Sequence, residues 1–456
     1  MNNKITGFTK IDSAEFVFYL NDYFLTLVYI DGGFPEDIKL KKRKVDILKG
    51  TTSCDKQICF FTLSLCSPDE TNVIYSAISS YFIGDYQSSY VDFDSFSAIS
   101  FTGCVIDKYF SPANKLNGQK QSNKNEPAIF FKPDSAVDFI VNINTNQKLK
   151  FSVSDPTLPG QYGGVFGNMN SSLFYSTDVN WGIADLINVY RSIYGLFAFL
   201  NFRSNISFKD VALYKRVDSE NFLKVATYYV AIEYPCTEVK AIKTIIHPYI
   251  NEKIADLFDY VQQLQKHLCF IPSNDVDSSV LDYQTYMVTC SVFEKVFSWK
   301  YPDRTQRNPN PEKIAVRDQV VEYLETLVAA NTDRKHIEAS NYLNAFRSQN
   351  KSKLYDRFIH AFEDNTEILK EVFPNFDFTS TRIANIAYDF VQQRNFLDHG
   401  DFEEISALRI SSYTYAVCLI YIMILRLVGL DENMIATIVK YMFWNYEHKD
   451  ISNLPI

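Results

Sequence analysis

Histidine and tryptophan are scarce in this chain of 456 residues, with six and three copies, and its eight cysteines are scattered. Cys54, Cys59, Cys66, Cys104, Cys236, Cys269, Cys290 and Cys418 show neither the paired short spacing of a zinc site nor that of a small disulfide scaffold, so reduced thiols and no resident metal are expected. His247, His267, His336 and His448 likewise lack partners at ligand spacing. Positive charge is also short: 45 Lys and Arg face 54 Asp and Glu, for a formal charge of −9. That excludes a broad electrostatic grip on duplex nucleic acid and leaves only local contact. Long hydrophobic runs are missing too. The most apolar stretch, Tyr415 to Leu425, meets Arg426 before it reaches the roughly 20 residues a spanning helix needs, and it reads as a buried core helix. Met1 to Lys10 is polar and has no secretory h-region, so a cytoplasmic protein with no membrane contact is expected.

What the chain does have is ordinary globular composition, 46% hydrophobic and 22% charged, with 37 Phe and 30 Tyr. Its length calls for two or three domains, and its aromatics favour sheet. From Phe16 to about Phe151 short β-rich runs alternate with turn signals such as Asp31-Gly-Gly: Phe16 to Leu20, Phe24 to Ile30, Ile58 to Leu65 and Ala128 to Phe131. Ser111 to Glu126 has little to bury and reads as an exposed loop. A helical pattern covers Gly182 to Leu200, and strands are expected at Ile206 to Arg216 and Asn221 to Glu233.

After Pro235 the β character ends, which puts the main boundary near Cys236. Helices are expected at Glu238–Cys269, Asp282–Trp299, Glu312–Ala330, Ile337–Asn350, Lys353–Val372, Arg382–Asp398, Glu403–Val428 and Glu432–Tyr446. The fold expected is therefore α+β and multidomain. An antiparallel β-rich domain (1–236) precedes a helical connector (237–278) and an all-α bundle (279–456).

Within the bundle, Ile383, Ile386, Ala387, Phe390 and Leu397 form a helical apolar stripe, with Ser380 or Thr381 available as N-cap. Polar groups crowd its far end: Gln392-Gln-Arg394-Asn395-Phe-Leu-Asp398-His399-Gly400. Five positions on an ideal helix put Arg394 and His399 about 140° apart, whereas Arg394 with Asp398 and Asn395 with His399 are true i,i+4 neighbours. A structural account is available, because His favours a helix C-terminus, Gly400 accepts the left-handed conformation that ends one, and Arg394 can pair with Asp398.

The run from Arg394-Asn395 to His399-Gly400 resembles the motif of HEPN domains, specifically the Apea-like branch. Cys290-Ser-Val-Phe-Glu294 is similar to the first-helix segment of that branch, in which a Glu faces the site. The β-rich first half resembles the N-terminal domain usually joined to it. The resemblance implies an HEPN-type helical bundle and a metal-independent endoribonuclease that needs no cofactor. Its composite site forms between two copies, so it also implies a homodimer through the helical domain. The branch further implies abortive phage defence, with RNA (tRNA or another single-stranded segment) as substrate and an N-terminal domain that senses a phage-derived trigger. Carried onto this chain, His399 is general acid or base, Arg394 the phosphate clamp and Asn395 an orienting partner. Asp398 either raises the pKa of His399 or holds Arg394. The residue types suit attack of an RNA 2′-hydroxyl on its neighbouring phosphate.

The alternative is a non-catalytic HEPN-type interaction or regulatory protein in which Arg394 and His399 are structural. Two further basic clusters read as solvated surface: Lys39 to Lys44 as a guarded hairpin edge, and Lys351, Lys353, Arg357 and His360 as an exposed helical face.

Overall fold

The computed structural model describes residues 4–30, 43–66, 73–87, 92–110, 138–153, 171–232, 243–272, 283–305, 311–330, 334–348, 353–399 and 407–447. The expected Ala128 to Phe131 strand and most of the basic run 39–44 lie outside these. Contacts divide the chain into two units, Met1–Gln265 and Lys266–Ile456. The division therefore falls after the change in composition near Cys236, because the helix at Ile254–Gln263 packs within the first unit, against the Asp138–Asn144 strand and the Leu186–Leu200 helix. An antiparallel sheet unit and a helical unit follow each other, as the α+β reading expects.

The first unit carries one 13-stranded sheet of order β6-β3-β2-β1-β4-β5-β7-β13-β12-β8-β11-β10-β9, antiparallel throughout. Its first six strands are β1 (Lys4–Ile11), β2 (Ala14–Asn21), β3 (Phe24–Tyr29), β4 (Arg43–Thr52), β5 (Lys56–Leu65) and β6 (Val73–Ala77). The polar start that argued against a signal segment is thus a strand. Alternation explains it: Thr9 and Ile11 are buried, while Lys4, Phe8 and Lys10 are exposed.

These six strands close on themselves. Cys66, one residue past β5, exchanges backbone hydrogen bonds with Tyr75 of β6 at 3.0 and 2.9 Å, so both margins of the six are paired there. Inside sit Phe16, Phe18, Leu20, Leu25, Leu27, Ile58, Phe60, Leu63 and Ile74, all buried. Gly7 is required here, since a Cβ at that position would lie 2.7 Å from the Phe18 ring.

Beyond β5 the sheet continues through β7 (Ser80–Gln87), β8 (Ser95–Thr102), β9 (Asp138–Asn144), β10 (Gln147–Val153), β11 (Ser171–Gly182), β12 (Asp210–Arg216) and β13 (Phe222–Val230). Three helices pack on it: α1 (Cys104–Phe110), α2 (Leu186–Leu200) and α3 (Ile254–Gln263). Aromatic contacts join the layers, among them Tyr109 with Phe151 at 5.1 Å and Phe101 with Tyr190 at 6.0 Å. Ile183–Leu200 is long and apolar enough to cross a membrane, but Leu186, Ile193, Leu196, Phe197 and Leu200 are buried in the unit, which accounts for its apolarity. The helix expected over Glu238–Cys269 is broken. Pro248 follows the start of a single turn at His247–Ile250, Asn251 takes φ 43°, and among the described residues of that span the regular α-helix is Ile254–Gln263.

The second unit holds α4 (Tyr283–Lys300), α5 (Pro311–Ala330), α6 (Arg334–Ser348), α7 (Leu354–Asp364), α8 (Thr366–Val372), α9 (Ser380–His399), α10 (Ala407–Leu427) and α11 (Glu432–Glu447). α10 contains the expected core run, with every residue from Tyr415 to Leu425 buried. The single helix expected over Lys353–Val372 is two, split at Asn365. Its buried side-chain amide donates to Ala361 O at 2.6 Å, closing the first helix.

Candidate active site

α9 is the element that carries the motif. Its N-terminus is capped one residue earlier than expected: Arg382 N donates to Thr379 Oγ1 at 3.4 Å, and Asp377 accepts from the Thr379 hydroxyl at 3.1 Å. The expected apolar stripe is buried, Ile383, Ile386, Ala387, Phe390 and Leu397 alike. Phe390 is its pivot, with ring contacts to Tyr286 at 5.6 Å, Phe293 at 5.9 Å and Phe358 at 5.0 Å. The Tyr286 hydroxyl donates to Phe390 O at 3.3 Å and shares a 3.1 Å hydrogen bond with Ser412 Oγ. α4, α7 and α10 therefore clamp α9 around Phe390, one turn before Arg394.

The backbone stays helical through His399. Position 394 lies about 40° round the axis from Phe390, at the margin of the core, and position 399 lies about 140° from 394. Arg394 and Asn395 are half-buried, as that placement requires. Tyr388, Gln392, Asn395 and position 399 share one stripe opposite Phe390. Tyr388 on that stripe is exposed, and Phe396 beside it is exposed as well. The side chains of Asp398 and His399 lie outside the described residues. Gln393, which sequence reasoning did not single out, is buried on the core side.

Glu294 stands on α4 between buried Phe293 and the next turn's Phe297. Its carboxylate is 3.8 Å from the guanidinium of Arg357. Arg357 overturns the exposed basic face expected for its helix. It is 5% exposed, donates to Thr305 O at 3.3 Å and lies 5.8 Å over the Phe297 ring. The reason is position: 357 lies three residues after buried Leu354 and four before buried Ala361, on the stripe that enters the core, where an Arg buries its stem and keeps its head on acceptors. His360 is half-buried and edge-on to Tyr301 at 4.9 Å, whereas Lys353 is exposed. Lys351 lies outside the described residues. The spacing to Leu354 and Ala361 was the available signal for Arg357.

A second polar group joins helix ends distant in sequence. Asp364 accepts from the Tyr301 hydroxyl at 2.7 Å and from Arg426 at 2.7 Å, and Arg426 also reaches Glu432 at 2.6 Å. Burial, then the Asp364 carboxylate, pushes the Tyr301 hydroxyl well above its ordinary pKa. Among the described residues no cluster of His, Cys, Asp and Glu has the makings of a metal site.

No family model, curated protein or solved structure matches this chain.

Proposed function

We propose that this chain is an HEPN-type endoribonuclease of cytoplasmic abortive phage defence, which cleaves RNA without a metal by internal attack of a 2′-hydroxyl. The observation that carries the reading is the Arg394 to His399 run on the last turns of one unbroken helix, clamped in a helical bundle at Phe390. That clamp gives a rigid base to a polar helix end, as a preorganised site needs. His399 takes the proton of the 2′-hydroxyl, O2′ bonds to the adjacent phosphorus, and the 5′-oxygen leaves with a proton from a second imidazole. Arg394 holds the non-bridging oxygens as charge builds, and Asn395 orients the imidazole or the phosphate. Glu294 and Asp398 are the acids that complete the set.

One copy is not enough for this scheme. It needs a base and an acid, and in one helix positions 394 and 399 diverge by about 140°. Pairing of two α9 helices through the outward stripe of Tyr388, Gln392 and Asn395 supplies the second copy of each group about a two-fold axis. The regulatory reading draws on the half-burial of Arg394 at the core margin, which suits a structural cation.

The test is purified protein with total RNA in EDTA, wild type against His399→Ala. Cleavage that leaves 2′,3′-cyclic phosphate ends, is lost in the variant, and fails on RNA with hydrogen in place of the attacking 2′-hydroxyl supports the proposal. Unchanged cleavage by a well-folded His399→Ala protein overturns it.

A further inference from the structure

Gln393 is a buried polar side chain that the proposed reaction leaves unused. It is 1% exposed, and its amide oxygen is buried without a hydrogen-bond partner. On α9 it directly precedes Arg394 and stands about 60° round the axis from Phe390, on the core side. A buried acceptor with no donor raises the energy of the arrangement that contains it. Leu or Met would fill the same space without that cost, so the amide calls for a second arrangement in which it is paired.

Helix geometry supplies the donor. In a continuous helix the Phe390 carbonyl accepts from the Arg394 amide, and the carbonyl of residue i opens between the side chains of i+3 and i+4. The Tyr286 hydroxyl, on a wholly buried residue of α4, donates to that same carbonyl at 3.3 Å. It therefore enters α9 between the side chains of Gln393 and Arg394. Its bond is longer than the range of about 2.5–3.0 Å usual for a hydroxyl donor, while Ser412 Oγ at 3.1 Å anchors the hydroxyl from α10. A change of rotamer at Gln393 is enough to offer the hydroxyl a second acceptor.

We propose that Gln393 is a positioning residue for Arg394: its amide oxygen and the Phe390 carbonyl compete for the Tyr286 hydroxyl, and the choice sets the turn on which Arg394 stands. The proposal rests on the nuclease reading and adds how that site is tuned from the core. With the hydroxyl on Phe390 O, the Arg394 amide shares its acceptor and the turn is slack. With the hydroxyl on Gln393, Phe390 O serves Arg394 alone and the turn closes. The second arrangement orders Gln393 against the Arg394 stem, which costs side-chain entropy in the free protein. A phosphate gripped by Arg394 carries that ordering already, so the Gln393 bond forms as the grip tightens on the phosphorane, and its gain falls to the transition state.

The experiment is a cycle of Gln393→Met and Tyr286→Phe in the full-length protein, read by RNA cleavage in EDTA, by thermal melts and by hydrogen exchange of the Arg394 amide. Met keeps the length of Gln and removes the amide. Gln393→Met should raise the melting temperature by roughly 3 to 6 °C and lower kcat about fivefold at nearly constant KM. Greater stability with less activity is a pair of changes that a plain packing role does not give. Exchange of the Arg394 amide should quicken in the same variant despite its higher melting temperature, because the hydroxyl then stays on Phe390 O. Tyr286→Phe should lower kcat by a similar factor, and the double variant should be no slower than either single one. The proposal is overturned by unchanged kcat in Gln393→Met, by melting temperature and activity that fall together, or by single losses that multiply in the double variant. These results separate from the nuclease test. RNA cut equally by the wild type and Gln393→Met removes this proposal alone, whereas a wild type that cuts no RNA removes the nuclease reading, and exchange of the Arg394 amide still decides whether Gln393 competes for Tyr286.

Discussion

Substitutions at Glu294 distinguish an acid that serves chemistry from one that serves packing. Its carboxylate lies 3.8 Å from a guanidinium that is 5% exposed, while its own side chain is 39% exposed. Coulomb's law at that separation gives about 4 kcal/mol at an effective dielectric near 20 and about 1 kcal/mol in water. Exposure of the carboxylate and the absence of a direct hydrogen bond pull the net value toward the lower figure, about 1 to 2 kcal/mol. For a unit of this size that is a fall in melting temperature of roughly 3 to 6 °C. Glu294→Gln keeps the shape and removes the charge, leaving Arg357 with Thr305 O and the Phe297 ring.

A double-mutant cycle of Glu294→Gln and Arg357→Met, read by thermal melts and by RNA cleavage, reports both quantities. The structure predicts a coupling of about 1 kcal/mol, because Met restores an apolar group on a stripe already lined by Leu354, Phe358 and Ala361. If Glu294 also serves catalysis, Glu294→Gln abolishes cleavage even in the Arg357→Met background, where its ion pair is gone. Zero coupling would refute the pairing argument, and full cleavage by a folded Glu294→Gln protein would remove Glu294 from the site.

Four further outcomes are expected. Burial pushes the hydroxyls of Tyr175, Tyr194 and Tyr228 up to about 12; a raised folded pKa means that stability is whole below the ordinary value near 10 and is lost as pH rises toward 12, so tyrosinate absorbance should appear together with loss of circular dichroism rather than before it. Gly7→Ala should destabilise by about 1 to 3 kcal/mol through its clash with the Phe18 ring and the Thr51 carbonyl, whereas Gly182→Ala, whose nearest neighbour would be 3.8 Å away, should leave the denaturant midpoint unchanged. Phe390→Ala should cost about 3 to 5 kcal/mol in denaturant titration and loosen α9 with it. Tyr388→Arg should convert a dimer to a monomer in light scattering and abolish RNA cleavage together, and an active monomer at assay concentration would defeat the two-copy scheme.

The switch from sheet to helices, the buried stripe of α9 and the buried run of α10 were all legible, because each is a local periodicity of apolar residues. β1 was missed since Lys4, Thr6 and Lys10 make its exposed face polar, which hides the alternation under an average. The two broken helices turn on single asparagines: Asn251 at a positive φ of 43°, and Asn365 bonding back to Ala361. Neither leaves a mark in hydrophobic spacing. Closure of the six strands depends on Cys66 meeting Tyr75, a pairing between segments that no single window contains.

The same contrast bears on the site. The Arg394 to His399 run is legible in the sequence because a motif is local, and the structure adds that the backbone stays helical through His399. On the proposed nuclease reading, continuity through His399 assigns joint action of the two groups to a second chain, so that reading expects activity and dimerisation to be lost together. Glu294 differs in kind, since it pairs with Arg357 of the same chain at 3.8 Å. Its contribution should therefore persist in a forced monomer as stability even when cleavage is gone, which makes melting temperature and RNA cleavage separable readouts of the two halves of the constellation.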